Sequence, residues 1–395
     1  MQAELQTALF QAFDALNLQN VKTFSVPPVT LCGLGALSAC GQQAQARGLK
    51  NLFVMVDSFL HQAGMTAPLE RSLAMKGVAM TLWPCPVGEP CITDVCAAVA
   101  RLRESTCDGV VAFGGGSVLD AAKAVALLVT NPDRTFSEMT EMSVLRPRLP
   151  LIAVPTTAGT GSETTNVTVI IDAVSGRKQV LAHAFLMPDV AILDAAVTEG
   201  VPAHVTAMTG IDALTHAVEA YSARHASPFT DSLAIGAMAM IGESLPKAVG
   251  YGQDLAARES MLLASCMAGM AFSSAGLGLC HAMAHQSGAT LHIPHGQANA
   301  MLLPTVMGFN RMVCRERFSH IGRALTHKKS DDRDAITAVS ELIAEVGQSK
   351  RLTDVGARPE HYSVWAQAAL EDICLRSNPR TATQEQIIDL YAAAQ

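Results

Sequence analysis

The strongest constraint on the fold is a change of pattern half-way along the chain. Up to about residue 200, short apolar runs alternate with longer stretches of helical periodicity. The clearest runs are NLFVMVD (51–57), DGVVAFGG (108–115) and PLIAVPTT (150–157). Uniformly apolar runs are typical of strands buried on both faces of a parallel sheet, so this half predicts a doubly wound, Rossmann-like α/β domain.

The strand signals stop after about residue 200. Ala-, Met- and Leu-rich helical patterns follow, for example GIDALTHAVEAYSA and ARESMLLASCMAGMAF. Because 395 residues exceed what one hydrophobic core usually supports, we predict an α/β domain over residues 21–197 and an all-α domain over residues 198–395. A hairpin is predicted within residues 168–181, with Ser175 and Gly176 in its turn.

Residues 1–20 form a separate segment. Leu5, Leu9, Phe13 and Leu16 recur at helical spacing, and the paired prolines of VKTFSVPP then predict a linker. Two interpretations stay open, because periodicity does not decide between them. The helix either packs on the domain or is a detachable segment that docks on a partner.

Composition excludes several classes of function. The net charge is −7 and basic residues are scattered, which argues against nucleic acid as a partner. Every apolar stretch is interrupted before membrane-spanning length, and the N-terminus lacks the pattern of an export signal. We therefore expect a cytoplasmic protein with no membrane span, whose ten cysteines are reduced thiols.

A glycine-rich turn offers the first candidate binding site. Gly114, Gly115, Gly116 and Ser117 join an apolar run to a helical pattern, so their backbone and the helix N-terminus suit a phosphate. A tight turn without a ligand has the same sequence. The stretch PTTAGTGSETTN (155–166) strengthens the phosphate interpretation, since it follows a buried strand at the sheet edge where α/β domains bind ligands.

Asp57 ends the first apolar run. A carboxylate there suits the hydroxyls of a ribose and repels a 2′-phosphate, which favours NAD over NADP. The alternative is a plain helix N-cap.

Histidines and one aspartate in the second half form a candidate metal set. Asp212 and His216 are spaced i, i+4, as are His281 and His285, so each pair shares one helix face. His295 follows in a Pro- and Gly-flanked loop. Together these side chains supply enough nitrogen and oxygen ligands for one divalent ion, with no thiolate among them.

Four motifs occur in a characteristic order: GGGSVLDAAKA, PTTAGTGSE, GIDALTHAVEAY and GLGLCHAMAHQSGATLHIPHGQANAMLLP. In these the chain resembles the iron-dependent (group III) alcohol dehydrogenases, from about residue 25 to its end. Within that family it is most similar to the branch found in bacterial ethanolamine-utilisation operons. The resemblance implies a dehydroquinate synthase-like fold, with an NAD-binding α/β domain and a helical metal-binding domain.

The resemblance also assigns roles to matching positions. The implied metal ligands are Asp212, His216, His281 and His295. His285 matches a histidine near the nicotinamide, and we expect it to relay a proton during catalysis. The implied NAD contacts are Asp57, Gly115, Gly116, Ser117, Thr156, Thr157, Thr160 and Lys178, with Val197 a weaker candidate.

The implied activity is NAD- and Fe²⁺-dependent interconversion of a small primary alcohol and its aldehyde, with acetaldehyde reduction in ethanolamine catabolism the expected case. Zn²⁺ suits the ligand set equally. The alternatives are a lactaldehyde or 1,3-propanediol-type oxidoreductase, a lyase resembling dehydroquinate synthase, and a non-catalytic protein associated with a bacterial microcompartment. We expect a homodimer or larger homo-oligomer, and residues 1–20 to contact a microcompartment shell or enzyme partner.

Two departures from the family pattern concern the site. Many members carry Asn-Pro-Thr near the cofactor, where this chain has Glu89, Pro90 and Cys91. Gln297 replaces an apolar residue directly after the last implied ligand, where it either tunes hydrogen bonding around the metal or has no effect. His292 matches no ligand, and we expect a loop residue.

Overall fold

The structure is a computed structural model that describes residues 22–140, 144–173, 176 and 178–394. The helix predicted within residues 1–20 lies outside the described residues. Among those that are described, no single helix is long and apolar enough to cross a membrane. Leu255–Ala275 and Leu279–Leu291, bent by 106° from each other, meet the requirement as a pair by length and composition alone.

The first half folds around a six-stranded parallel sheet. Its strands, in the spatial order β1-β8-β5-β4-β2-β3, are β1 (Val29–Cys32), β8 (Val190–Leu193), β5 (Leu151–Pro155), β4 (Gly109–Gly114), β2 (Asn51–Asp57) and β3 (Ala79–Cys85). An antiparallel hairpin is formed by β6 (Val167–Ile171) and β7 (Lys178–Ala182). The hairpin lies where the sequence predicts it, although Ser175 is outside the described residues.

Successive residues of the central strands enter different cores. Phe53 and Val110 belong to one buried apolar cluster, whereas their neighbours Val54 and Val111 belong to another. Side chains alternate between the two faces of a strand. Burial on both faces therefore explains why these runs are uniformly apolar.

Short helices cover the sheet. They are α1 (Cys40–Ala46), α2 (Ser58–Gln62), α3 (Ala67–Ala74), α4 (Ile92–Glu104), α5 (Gly116–Leu128) and α6 (Phe136–Thr140). The chain runs from β2 to β3 at one edge and then returns to β4 on the other side of β2. Such a switch point leaves a crevice at the carboxyl ends of β2 and β4, where open α/β sheets bind ligands.

The second half is a bundle of eight helices in the described residues. They are α7 (Ala203–Ser222), α8 (Pro228–Gly250), α9 (Leu255–Ala275), α10 (Leu279–Leu291), α11 (His295–Thr326), α12 (Asp334–Glu345), α13 (Pro359–Glu371) and α14 (Gln384–Ala393). One large apolar cluster fills it, rich in Ala, Leu and Met. The predicted fold class, a parallel-sheet domain followed by a helical one, is confirmed.

Three strands have no clear counterpart in the sequence analysis. β1 and β3 lie at the sheet edges and are half-exposed, so they lack a uniformly apolar run. β8 is fully buried but has only four residues. A run that short is not separable from a buried piece of helix by composition. All ten cysteines are free, and five of them are buried.

Candidate metal centre and cofactor cleft

Three helices bring the predicted metal ligands together. Asp212 and His216 lie one turn apart on α7, His281 lies near the start of α10, and His295 is the first residue of α11. Asp212, His216 and His281 are buried and offer ligand atoms within 4.8 Å of one another. His295 is more open, with 31% of its side chain exposed.

The distances fit one divalent ion. Asp212 Oδ1 lies 3.8 Å from Nε2 of His216, 3.7 Å from Nε2 of His281 and 3.5 Å from Nε2 of His295. Ligands about 2.1 Å from a tetrahedral metal lie about 3.4 Å from one another. The carboxylate and the three imidazoles therefore hold their ligand atoms close to the separation that a bound ion requires.

Hydrogen bonds on the far side of two imidazoles set their tautomers. His281 Nδ1 donates to Glu219 Oε2 at 2.6 Å, and His216 Nδ1 lies 3.2 Å from the carbonyl oxygen of Gly159. With the proton on Nδ1, the lone pair of Nε2 is directed at the ligand cluster. Such partners are a regular feature of metal-binding histidines.

The two buried carboxylates of the cluster also favour binding of a cation. Glu219 and Asp212 are both buried carboxylates beside His281. Burial opposes ionisation of Asp212, but His216, His295 and His281 outweigh it and hold the pKa of that carboxyl below its usual value. Against the effect of burial, Glu219 raises the pKa of His281 to about 9. Two buried carboxylates beside one imidazole favour a positive charge at this place, and a divalent ion supplies it.

Asn299 marks the point where the acceptors converge. Its Nδ2 donates to Asp212 Oδ1 at 2.8 Å and lies 3.3 Å from Nε2 of both His281 and His295. Three acceptor atoms are thus directed at one donor. Gly296 permits this approach of α11 to α7, since a Cβ there would come within 2.1 Å of the Met208 carbonyl oxygen.

His285 lies one turn after His281 but has a different environment. Its Nδ1 donates to Asp372 Oδ2 at 2.8 Å, and a quarter of its side chain is exposed. Asp372 also accepts the backbone N–H of Cys374 on its other oxygen. Burial opposes ionisation of Asp372, but the bond and charge of His285 lower the pKa of the carboxyl. The bond from Nδ1 to Asp372 therefore fixes the orientation of the His285 ring, while part of the ring remains exposed to solvent.

The glycine turn forms a cradle at the switch point. Gly115 is the N-cap of α5 and has no side chain to cap its first N–H groups, which suits a phosphate. A Cβ on Gly116 would lie 2.6 Å from Cγ2 of Thr160, so the turn packs tightly on the segment after β5. Thr157 lies near Gly115 at ordinary contact distance, since a Cβ there would be 3.5 Å from its Oγ1, and Ser117 is exposed beside them.

Asp57 closes the neighbouring side of the crevice at the end of β2. Its Oδ1 accepts the backbone N–H groups of Phe59 and Leu60, so it is the N-cap of α2. The capping interpretation of Asp57 is therefore realised. It does not exclude a ribose contact, because a carboxylate has further acceptor positions.

Three other implied NAD positions differ in exposure. Thr156 is buried after β5, with its N–H donating to the Gly114 carbonyl. Val197 is buried in the apolar core under the sheet. Lys178 is already paired, since its Nζ lies 2.6 Å from Glu89 Oε1. Glu89, the departure from the family pattern, thus meets the lysine implied to bind the cofactor.

The two remaining residues singled out in the sequence stand apart. His292 ends α10 in the left-handed region, with a φ of 53°. Gln297 is buried in the first turn of α11.

Glu219, Asn299 and Asp372 have no predicted role in the sequence analysis above. Glu219 lies in the motif GIDALTHAVEAY, seven residues after Asp212, and that spacing on one helix face was the available signal. Asn299 follows His295 by one turn in the same way. Asp372 lies 87 residues from its partner His285, and nothing in the sequence links the two.

Comparison with known proteins finds matches over most of the chain. Residues 27–195 match the family model of iron-containing alcohol dehydrogenase, and residues 206–395 match the C-terminal model of the Fe-containing alcohol dehydrogenase family. The chain belongs to the iron-containing alcohol dehydrogenase family. The predicted enzyme class is thereby confirmed.

Individual relatives cover the whole chain. It is 90% identical to the probable alcohol dehydrogenase EutG of Salmonella typhimurium and 86% identical to that of Escherichia coli, over 100% of each protein. It is 37% identical to the NAD-dependent methanol dehydrogenase of Bacillus methanolicus, over 94% of this chain and 99% of that protein.

Solved structures share the fold. A 1,3-propanediol oxidoreductase has a TM-score of 0.92 at 34% identity, covering 95% of this chain and 100% of its own. A sulfoacetaldehyde reductase from Bifidobacterium kashiwanohense in complex with NAD⁺ has a TM-score of 0.88 at 29% identity, covering 95% and 98%. Iron and NAD, the predicted cofactors, are thus those of the family.

Proposed function

We propose that this alcohol dehydrogenase uses NADH and Fe²⁺ to interconvert acetaldehyde and ethanol, as a step of ethanolamine catabolism. The observation that carries the catalytic part is the convergence of Asp212 Oδ1 and the imidazoles of His216, His281 and His295. The ethanolamine part is supported by the likeness to EutG at 86–90% identity over the full chain.

The metal is held by Asp212, His216, His281 and His295 in this proposal. A divalent ion there supplies Lewis-acid polarisation of a carbonyl oxygen, and the nicotinamide supplies the hydride. Glu219 and Gly159 hold two of the imidazoles in the metal-binding tautomer. The donor set contains no thiolate, which suits Fe²⁺ and also accepts Zn²⁺.

His285 handles the proton. Its Nδ1 is committed to Asp372, so its Nε2 is the atom that gives a proton to the nascent alkoxide or removes one from the alcohol. Asp372 keeps the ring in place. The partial exposure of His285 gives it a route for proton exchange with solvent.

The crevice at the ends of β2 and β4 binds NAD. The turn at Gly115, Gly116 and Ser117 receives the pyrophosphate, and Thr156, Thr157 and Thr160 line the facing segment. Asp57 accepts from the ribose hydroxyls and disfavours a 2′-phosphate. Lys178 is a further contact, for which the cofactor competes with Glu89. Val197 contributes from the core below.

The direct test is NADH oxidation by anaerobically purified, iron-loaded protein, measured with acetaldehyde, lactaldehyde and 3-hydroxypropanal. We expect the highest kcat/KM with acetaldehyde. A higher value with lactaldehyde or 3-hydroxypropanal would favour the second candidate, a lactaldehyde or 1,3-propanediol-type oxidoreductase. That candidate has support in the likeness to a 1,3-propanediol oxidoreductase. No turnover with any aldehyde would leave the non-catalytic alternative.

Residues 1–20 target the protein to a bacterial microcompartment in this proposal, within a cytoplasmic cell fraction. The support is the amphipathic pattern of the segment followed by the VPP linker. Deletion of residues 1–20 is expected to release the enzyme from purified shells with kcat unchanged. Co-purification of the truncated protein with shells would reject the targeting role. A homodimer or larger oligomer also remains a prediction, which sedimentation velocity tests.

A further inference from the structure

A second cluster of ligand groups lies beside the proposed metal centre. His285, Asp372 and Cys374 each offer one ligand atom, and these three atoms lie within 4.8 Å of one another. The cluster joins α10 to the short helical turn Ile373–Ser377. It uses no residue of the Asp212 set, although the His285 ring stacks on that of His295 with centroids 5.3 Å apart.

The cluster is built around Asp372. One carboxylate oxygen accepts from His285 Nδ1 at 2.8 Å, and the other accepts the backbone N–H of Cys374 at 2.9 Å. These bonds hold the imidazole of His285 and the backbone of Cys374 on the same carboxylate. The three residues are partly rather than fully buried.

The donor set differs in kind from that of the neighbouring centre. One thiolate, one imidazole and one carboxylate form a set that zinc accepts, and thiolates select for thiophilic ions. The proposed iron centre has only nitrogen and oxygen donors. We propose that His285, Asp372 and Cys374 form a second metal site, which takes a thiophilic divalent ion such as Zn²⁺ and stops turnover when it is filled.

The inhibition follows from the ligand atoms involved. Binding at Nδ1 of His285 replaces its bond to Asp372 and requires the tautomer that carries the ring proton on Nε2. The thiol proton of Cys374 is released to solvent as the metal–sulfur bond forms. An imidazole bound to a dication no longer takes up a proton at its other nitrogen. This inhibitory part rests on the proposed proton transfer by His285, whereas the binding part does not.

Cobalt tests the binding part, because only a thiolate ligand gives a sulfur-to-cobalt charge-transfer band in the near ultraviolet. We expect the band when Co²⁺ is added to the metal-free protein. Cys374→Ser should remove it and Cys280→Ser should leave it intact. Cys280 is the matched control, since its Sγ lies against Asn299 near the first centre and belongs to neither ligand group. Absence of the band, or its persistence in Cys374→Ser, would overturn the second site.

Zinc stoichiometry provides a measurement that needs no variant. We expect two Zn²⁺ per metal-free chain. One Zn²⁺ per chain would contradict a second site even if Cys374→Ser failed to fold.

The inhibitory part is tested on the iron-loaded enzyme. Zn²⁺ should stop NADH oxidation while the iron remains bound, and a chelator should restore it. Since loss of an outer hydrogen-bond partner alone costs about 10–100-fold in metal affinity, loss of a ligand in Cys374→Ser should raise the zinc needed by about tenfold or more. Release of one iron per zinc bound would overturn the inference, because it means exchange at the first centre. A cobalt band at Cys374 with undiminished turnover in zinc would uphold the site but reject its inhibition, and with it the proton role of His285.

Discussion

His281 and His285 lie one turn apart on α10, and both donate from Nδ1 to a carboxylate. For His281 the partner is Glu219 at 2.6 Å, and for His285 it is Asp372 at 2.8 Å. They differ in burial, since 1% of the His281 side chain is exposed against 25% for His285. The same local arrangement thus serves two kinds of chemistry: a buried imidazole is suited to hold a metal, and an open one is suited to exchange protons.

The carboxylates follow the same division. Glu219 accepts three N–H groups, from His281 and from the backbone of Gly278 and Cys280, so it also closes the N-terminus of α10. Asp372 lies 87 residues after its partner His285 in the chain, and the His285 imidazole remains partly exposed. Substitutions that separate metal retention from turnover therefore test the comparison.

Loss of the partly exposed His285 is expected to have the largest effect on turnover. His285→Ala should lower kcat by about 10²–10⁴-fold, the usual contribution of a positioned acid or base, with iron content unchanged. Steady-state NADH oxidation and metal analysis measure the two quantities. His292→Asn is the matched control, because His292 ends the same helix in a left-handed conformation that Asn also adopts. A kcat within twofold of the parent would remove His285 from the mechanism.

Loss of the buried Glu219 carboxylate should lower the affinity for the metal rather than turnover itself. In Glu219→Gln only one oxygen remains to accept the three N–H groups. The new amide NH₂ is a donor and faces the N–H of His281 or of the backbone. We expect a loss of about 10–100-fold in metal affinity, measured by competition with a chelator. Restored turnover at saturating Fe²⁺ would agree with a positioning role. Unchanged affinity would mean that the Glu219 bond has no bearing on metal binding.

The matching substitution at Asp372, the partner of His285, should leave metal binding unchanged. Asp372→Asn weakens a charged hydrogen bond by about 1.4 kcal/mol, and kcat should fall by about tenfold as the pH profile of turnover shifts. Iron content should equal that of the parent. A fall in iron content with an unshifted pH profile would show that Asp372 serves the metal rather than the proton.

The smallest effect is expected outside α10, at the cofactor crevice. Asp57→Asn keeps the cap of α2, since Asn caps as well as Asp, but removes a charge. With about 1 kcal/mol of repulsion between partly exposed charges gone, the preference for NADH over NADPH should fall by about fivefold. The ratio of kcat/KM values measures it, with Asp57→Gly as the comparison that also loses the cap. An unchanged ratio in both variants would reject the ribose role.

The sequence predicted the architecture and the ligand candidates for specific reasons. Strands buried on both faces, such as β2 and β4, need uniformly apolar residues, and helical spacing puts Asp212 and His216 on one face. The edge strands β1 and β3 were not predicted, because half-exposed strands lack a uniformly apolar run of residues. Spacing alone also treated His281 and His285 alike.

Burial separates these histidines, and burial depends on contacts that are remote in the chain. Asp372 reaches His285 across 87 residues, and the Gly159 carbonyl reaches His216 across 57. No local pattern encodes such pairs. The pairing of Glu89 with Lys178, separated by 89 residues, was hidden for the same reason.

Iron content per chain, measured after anaerobic purification of the parent, His281→Ala and His285→Ala, tests the division between the two histidines most directly. We expect about one iron per chain in the parent and in His285→Ala, and close to none in His281→Ala, because only the buried imidazole is a metal ligand. NADH binding, followed by fluorescence, should be retained by all three proteins. One iron per chain in His281→Ala, or its loss from His285→Ala, would contradict the account.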